Sequence, residues 1–295
     1  MTNLLSKSVK NLKAINKLRK LGIFVNYIEQ NVVPPGLENK YLSTFLSSDY
    51  FGHDGIEMHD ADQVELLKKW QSSYGNVFRS MRDDPEINAS RGQAFIENGY
   101  YRTPDVEIYA SMILDYQPKS IIEIGAGFST LIARKIVNQL NTGSKITAID
   151  PEPRTDIGRH AHSVIRKRIE DVQVDDLPLG DRSILFIDSS HVTRSKGDIP
   201  HIYNKIFPGI PAGTLVHVHD ICIPYDYPYQ FQKLLYTEQY ILQALLSHSP
   251  RYRVVFATYY MTHKHPEIMQ ATFSDVVGKS DRYHGFSFWV SVENS

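Results

Sequence analysis

The sequence predicts an α/β fold built on a doubly wound, largely parallel sheet, and three observations carry that prediction. From Ser120 onward, short apolar runs alternate with helical segments, the pattern that strands joined by crossover helices require. The first run, Ser120 to Ile124, ends in the glycine-rich turn Gly125-Ala126-Gly127, and an amphipathic segment, Leu131 to Leu140, follows. A second run, Lys145 to Ile149, then stops at Asp150. The turn brings backbone N–H groups close to a ligand. A carboxylate ending the second strand can accept hydrogen bonds from both hydroxyls of a ribose. The pair predicts a nucleoside-containing cofactor lying across the first two strands.

The elements follow in order. Met1 to about Ile28 is basic, with Lys7, Lys10, Lys13, Lys17, Arg19 and Lys20 ahead of the first acid, Glu29. Leu5, Val9, Leu12, Ile15 and Leu18 fall at helical spacing, which predicts an amphipathic helix packed on its own domain or across a dimer. Val33-Pro34-Pro35-Gly36 breaks the chain. Val64 to Met81 is the clearest helical run of the next stretch. Pro104-Asp105 starts a helix to about Tyr116, with Thr103 in position to cap it. Residues 1–100 are therefore expected to form a helical cap or oligomerisation region, and residues 101–295 the catalytic domain. Strands are predicted at Ser120–Ile124, Lys145–Ile149, near Ser163–Ile169, and at Ser183–Ile187, Thr214–Val218, Tyr252–Ala257 and Phe286–Val292. His263 to Gly285 reads as a long loop.

Composition narrows the function classes. In a chain of 295 residues, 42% hydrophobic content supports a full core. A formal net charge of -1 implies no global attraction to nucleic acid or to a membrane. The single cysteine, Cys222, excludes an intrachain disulfide and fits a reducing cytoplasm. No apolar run is long enough to span a bilayer, and no secretory signal is apparent.

The cofactor class turns on one position. A dinucleotide fingerprint reads G-x-G-x-x-G, its third glycine allowing close helix–strand packing beside a pyrophosphate. Here the third position is Thr130, and Glu123 stands two residues before the first glycine. Glu-Ile-Gly-Ala-Gly resembles motif I of class I S-adenosylmethionine-dependent methyltransferases. Asp188-Ser189-Ser190-His191 after the fourth strand and His219-Asp220-Ile221 after the fifth resemble a bacterial subgroup of small-molecule methyltransferases, the Methyltransferase-24-like proteins. The resemblance runs from about Tyr101 to Val292.

That resemblance implies a Rossmann-like seven-stranded sheet with its last strand antiparallel, and S-adenosylmethionine as cofactor. The expected cofactor-binding residues are Glu123, Gly125, Gly127, Ser129, Asp150, Asp171 and Asp188, with Glu170 the alternative to Asp171 for the adenine amino group. Asp188 and Asp220 match positions that bind magnesium in catechol-type and macrolide-sugar O-methyltransferases, and His219 would complete a metal set. Mg²⁺ prefers oxygen ligands, whereas a histidine suits zinc, iron or nickel. The competing reading makes His219 or His191 the general base, oriented by Asp188 or Asp220. His217, two residues before His219 on the same strand face, is expected to support the site from behind or to pack in the core.

The expected reaction is methyl transfer to a small-molecule hydroxyl of a natural product or sugar. Pro224 to Phe231, four of whose eight residues are aromatic, would serve as a substrate lid. A homo-oligomer without nucleic-acid partners is expected. A nicotinamide-dependent oxidoreductase or epimerase is the alternative, opposed by Thr130 and by the lack of a Tyr-x-x-x-Lys pair: Tyr203 is followed by Asn204-Lys205. A non-catalytic S-adenosylmethionine-binding protein is the third reading. A nucleic-acid methyltransferase is disfavoured, because the chain lacks both a dense Lys/Arg stripe and an Asn-Pro-Pro-Tyr-type motif.

Overall fold

Seven strands form one sheet in the order β3-β2-β1-β4-β5-β7-β6. The computed structural model describes residues 52–85, 87, 101, 103–141, 143–153, 156–228, 231, 234–273 and 285–294. All belong to the larger of two units in the chain, Leu46–Ser295. The basic helix expected over residues 1–28 and the break at 33–36 lie outside the described residues.

The strands are β1 (Ser120–Ile124), β2 (Lys145–Ile149), β3 (Ser163–Ile165), β4 (Ser183–Ile187), β5 (Leu215–Val218), β6 (Tyr252–Ala257) and β7 (Phe288–Val292). Five of them, β3-β2-β1-β4-β5, are parallel, and β7 runs antiparallel between β5 and β6. In β1 and β4, successive residues Ile121, Ile122, Ile184, Leu185 and Phe186 are all buried. Helices therefore cover both sheet faces, which is why these runs are continuously apolar instead of alternating. The third strand stops at Ile165, four residues short of the predicted end. Arg166, Lys167 and Arg168 are exposed beyond its end, at the edge of the sheet.

The helices are α1 (Asp60–Arg82), α2 (Asp105–Tyr116), α3 (Phe128–Leu140), α4 (Asp198–His201), α5 (Glu238–His248), α6 (Thr258–Lys264) and α7 (Pro266–Phe273). A π-turn, Ile202–Ile206, continues α4. The predicted long loop after His263 instead contains α7, which begins at Pro266. Proline's fixed φ suits a first helical turn, so that signal was present in the sequence. Thr103 does not cap α2: Pro104 is the N-cap residue, and the Thr103 hydroxyl donates to Glu107 Oε1 at 3.0 Å.

Helix α1 packs on α7 and β6, with Trp70 against Phe256 at 5.0 Å and Phe78 against Phe273 at 5.7 Å. The Trp70 indole N–H donates to Asp115 Oδ2 at 2.9 Å, satisfying the polar edge of a fully buried ring. Among the described residues, no helix is long and apolar enough to cross a membrane.

Register decides where the functional residues fall. Ile124 is paired with both Ile149 and Ile187, and Ile187 with Val218. Four neighbouring strands thus finish level, and the ladder continues one residue beyond each. Gly125 N–H donates to Ile149 O at 3.0 Å, Asp188 N–H to Ile124 O at 2.9 Å, and His219 N–H to Ile187 O at 2.9 Å. Gly125, Asp150, Asp188 and His219 consequently stand in a row along the carboxyl edge, where ligands of open α/β sheets bind.

Candidate functional site

The glycine loop is held from below. Glu123, fully buried on β1, accepts hydrogen bonds from Tyr109 Oη at 3.0 Å and from the Thr130 hydroxyl. Thr130 Oγ1 in turn accepts the Gly127 N–H at 3.2 Å, and Ser129 adds to the hydrogen bonding of Glu123. The residue that replaces a third glycine is thus a strut between strand and loop. Burial pushes the Glu123 carboxyl up to about 7, against the pull of the Thr130 and Tyr109 hydroxyls.

The two glycines have different reasons to be glycine. Gly125 has φ +79, and a β-carbon there would overlap the Asp188 carbonyl oxygen, so only hydrogen fits. Gly127 is extended, with φ 179, and a β-carbon there would meet nothing within 4 Å. Its bareness leaves the backbone open to whatever lies on the loop. Asp150, at the end of β2, accepts the Ala126 N–H at Oδ2 (3.1 Å) and the Glu152 N–H at Oδ1 (2.8 Å). The strand-two carboxylate and the strand-one loop, 24 residues apart, are therefore in direct contact. Beyond β3, Glu170 is half-buried and Asp171 exposed, in a short 3₁₀ turn at Ile169–Asp171.

The second cluster lies at the ends of β4 and β5. His191 is buried, with φ 57. Its Nδ1–H donates to Glu238 Oε2 at 2.8 Å, and its Nε2 lies 3.1 Å from Asp188 Oδ1 and 3.6 Å from Asp220 Oδ2. His219 Nδ1 lies 3.7 Å from Asp188 Oδ1 and 3.5 Å from Asp220 Oδ1, and its Nε2 is 3.5 Å from Asp105 Oδ2. Each histidine thus stands between an outer buried carboxylate and the shared pair Asp188 and Asp220. Asp105 is itself fixed by the N–H groups of Phe286 (2.8 Å) and Ser287 (2.9 Å).

Electrostatics follow from this arrangement. Burial alone would lower His191, but hydrogen bonds to Asp188 and Glu238 and the charge of Asp220 raise it to about 10. Burial likewise opposes a charged His219, yet the charge of Asp220 and the carboxylates of Asp105 and Asp188 carry it well above its ordinary value. Burial penalises ionised Asp188, and the two imidazoles overcome that penalty and hold its carboxyl well below the usual range. Asp220 moves the other way, raised by burial. Asp188 is 39% exposed while both histidines are 5% or less, so Asp188 is the member of the cluster that an incoming group meets first.

Asp188, His191 and Asp220 each offer a ligand atom within 4.8 Å of the other two. This mixed nitrogen and oxygen set fits a divalent ion, with Glu238 behind His191 in the position of a carboxylate that orients a histidine ligand. His219, expected in the metal set, lies outside this group of three. His217 is fully buried, its ring stacked on Phe186 at 4.1 Å and beside Trp289 at 4.7 Å, and neither ring nitrogen has a hydrogen-bond partner. Next to the cluster, Tyr236 covers the His191 ring at 4.6 Å. Tyr227 and Phe231 of the predicted lid are buried in an aromatic group with Cys222 and Tyr259, flanked by Tyr225, Tyr236 and Phe286.

Three residues of this site were missed in the sequence. Glu238 follows no strand, Asp105 read as a helix start, and Tyr109 lay within the helix predicted to about Tyr116. Only Asp105 carried a signal, an acid next to a helix-starting proline.

Residues 122–221 match the family model described as a methyltransferase domain. The family expected from the glycine loop is therefore the family found over that segment. A curated relative, an uncharacterized protein of Archaeoglobus fulgidus, is 32% identical over 100 residues, covering 34% of this chain and 44% of its own length. The match spans less than half of that relative. Among solved structures, an O-methyltransferase from Bacillus cereus in complex with SAH is similar at TM-score 0.46 and 11% identity, over 77% of this chain and 100% of that one. The SAH-bound methyltransferase PaMTH1 of Podospora anserina is similar at TM-score 0.40 and 12% identity, over 92% and 100% of the two chains.

Proposed function

We propose, from the premise that residues 122–221 are a methyltransferase domain, that the chain transfers a methyl group from S-adenosylmethionine to a hydroxyl of a small molecule. The observation that carries this reading is the hydrogen bond from Ala126 N–H to Asp150 Oδ2. It joins the bare glycine loop to the carboxylate that ends β2, and Thr130 stands where a pyrophosphate-binding loop has its third, helix-packing glycine.

When bound, S-adenosylmethionine supplies an electrophilic methyl group on a positively charged sulfur. The chain's own contribution is alignment, charge placement and proton removal. Gly127 leaves the loop backbone open for the methionine and sugar, and Asp150 has lone pairs left for ribose hydroxyls. Asp171 or Glu170 is assigned to the adenine amino group. Asp188 bridges the two halves of the site, since its carbonyl lies against Gly125 and its carboxylate faces the opening.

An acceptor hydroxyl reaching Asp188 finds two imidazoles behind it, His191 Nε2 at 3.1 Å and His219 Nδ1 at 3.7 Å from Oδ1. The surrounding carboxylates favour the protonated form of both imidazoles. Either would become a base only where positive charge offsets those acids, as a sulfonium bound at this edge would. A divalent ion held by Asp188, His191 and Asp220 would supply the same offset and lower the pKa of a bound hydroxyl. Tyr236 and the partly buried Tyr225 and Phe286 offer aromatic surface for a flat or sugar-like acceptor. Residues 101–295 would form this catalytic domain, with a reducing cytoplasm as its setting.

Calorimetric titration of the chain with S-adenosylhomocysteine, NADH serving as the control, tests the cofactor. Saturable S-adenosylhomocysteine binding that Asp150→Ala abolishes supports the reading. Binding of NADH alone would overturn it. Methyl-labelled S-adenosylmethionine with a panel of hydroxylated acceptors, with and without Mg²⁺ or Mn²⁺, then tests transfer.

A further inference from the structure

We propose that Glu238 is a positioning residue, which takes the Nδ1 hydrogen of His191 and so commits His191 Nε2 to the face shared by Asp188 and Asp220. The assignment deepens the methyltransferase reading and rests on it for its catalytic consequence.

Glu238 is fully buried at the start of α5, and a buried carboxylate is tolerated only when its oxygens are engaged. Both are. Oε2 accepts from His191 Nδ1 at 2.8 Å, and Oε1 accepts the hydroxyl of Tyr203, on the π-turn after α4, at 3.1 Å. The backbone is tied at the same place. The His191 carbonyl accepts the N–H groups of Thr237 (2.8 Å) and Glu238 (3.1 Å), and Thr193 N–H donates to Thr237 Oγ1 at 2.8 Å.

These bonds hold His191 at φ 57, a left-handed conformation that is unfavourable for a non-glycine residue. The first turn of α5 stabilises that conformation from a point 47 residues away. The geometry also fixes the orientation of the ring. Half a turn of the imidazole about its Cβ–Cγ bond would put the Cδ2–H in place of Nδ1 and the Cε1–H in place of Nε2, losing the bonds to Glu238 and Asp188. A carboxylate on one side only accepts, so the nitrogen facing Glu238 must carry hydrogen. With Nδ1 held on Glu238, Nε2 faces Asp188 and Asp220. The Tyr236 ring at 4.6 Å covers the imidazole and opposes that rotation.

The test combines a spectrum with kinetics on the full-length chain. Nitrogen-15 histidine spectra, with the His191 resonances assigned by their loss in His191→Gln, are expected to show hydrogen on Nδ1 in the wild type. Glu238→Leu is expected to lose that fixed Nδ1 hydrogen and to lower kcat by about 10–100-fold. Its KM for S-adenosylmethionine should stay within about threefold, because the cofactor loop is untouched. Glu238→Gln keeps an accepting oxygen and should retain the Nδ1 signature and most of kcat. A merely structural role for Glu238 would not separate the Gln and Leu variants in this spectroscopic signature.

The proposal is overturned by a wild-type His191 whose Nδ1 bears no hydrogen, or by Glu238→Leu turning over as fast as wild type. Should Glu238→Leu fail to fold, the wild-type spectrum and Glu238→Gln decide the matter. A wild-type chain without S-adenosylhomocysteine binding would sink the methyltransferase reading, whereas the Nδ1 spectrum tests Glu238 independently of turnover.

Discussion

Gly125 and Asp188 meet backbone to backbone, so the turn that receives the cofactor and the acid that faces the acceptor are one rigid junction. A β-carbon on Gly125 would overlap the Asp188 carbonyl, and the φ of +79 already disfavours any side chain. Gly125→Ala is therefore expected to destabilise the fold by at least about 2 kcal/mol and to displace Asp188. Gly127→Ala, at an extended position with open space around it, should change stability by less than about 1 kcal/mol. It should nevertheless weaken S-adenosylhomocysteine binding by about tenfold or more, a difference of about 1.4 kcal/mol. Thermal unfolding and calorimetry on the two variants separate these effects. Equal losses of stability would contradict this account of the loop.

Asp150 offers a graded test. Asp150→Asn keeps one accepting oxygen for Ala126 N–H or Glu152 N–H but not both, and Asp150→Ala keeps neither. S-adenosylhomocysteine affinity should fall in the order wild type, Asn, Ala, each step costing about 1–2 kcal/mol. An Asn variant that binds as tightly as wild type would remove the ribose role.

Glu107 predicts a pH-dependent stability. It is fully buried on α2, and burial raises its carboxyl to about 7 although Thr103 donates to it and Arg82 lies near. A carboxyl raised in the folded state holds its proton more tightly than in the unfolded chain. Its contribution to stability is thus fully present below about pH 4.5 and is lost as pH rises through about 7. Glu107→Gln should unfold later than wild type at pH 8 by about 1–3 kcal/mol and differ little at pH 4.5. Paired melts at the two pH values measure this, and a variant less stable at pH 8 would refute it.

His217 should behave in the opposite sense. Burial and the charge of His219 hold it well below its ordinary value, so the unfolded chain binds the proton that the folded chain refuses. Stability is then lost as pH falls below about 6.5. Both ring nitrogens lack partners in an aromatic box formed by Phe186, Tyr109 and Trp289. His217→Phe should raise stability by about 1–3 kcal/mol and flatten its acid dependence. A destabilised Phe variant in urea titrations at pH 7 would show that the imidazole has a role beyond packing.

The strands were legible because most of their apolar runs end at a glycine or an acid. β1, β2, β4 and β6 fall on their predicted bounds, and for the first three Gly125, Asp150 and Asp188 interrupt the runs. The glycine loop and the acids at strand ends were legible for the same reason: their meaning depends on position relative to one strand. Glu238 was not. Its significance lies in a contact with His191 across 47 residues, and nothing local distinguishes it from any acid at a helix start. Thr130 was legible as a departure from a dinucleotide pattern, but its bonds to Glu123 and Gly127 required the fold. The Thr103 cap failed because the hydroxyl found a buried carboxylate, Glu107, one helical turn away.

The antiparallel insertion of β7 has a consequence for how the molecule comes into being. β5 and β6 share no hydrogen bonds with each other and are joined only through β7. Asp105, which faces His219, is held by N–H groups from Phe286 and Ser287, some 180 positions downstream. During vectorial synthesis the glycine loop can form as soon as β4 has emerged. The acid edge beside it must wait for residues 286–292, and until then two unpaired strand edges stand open to other nascent chains. Chains halted before Phe286 should therefore be captured by chaperones or aggregate, rather than persist as a smaller functional domain.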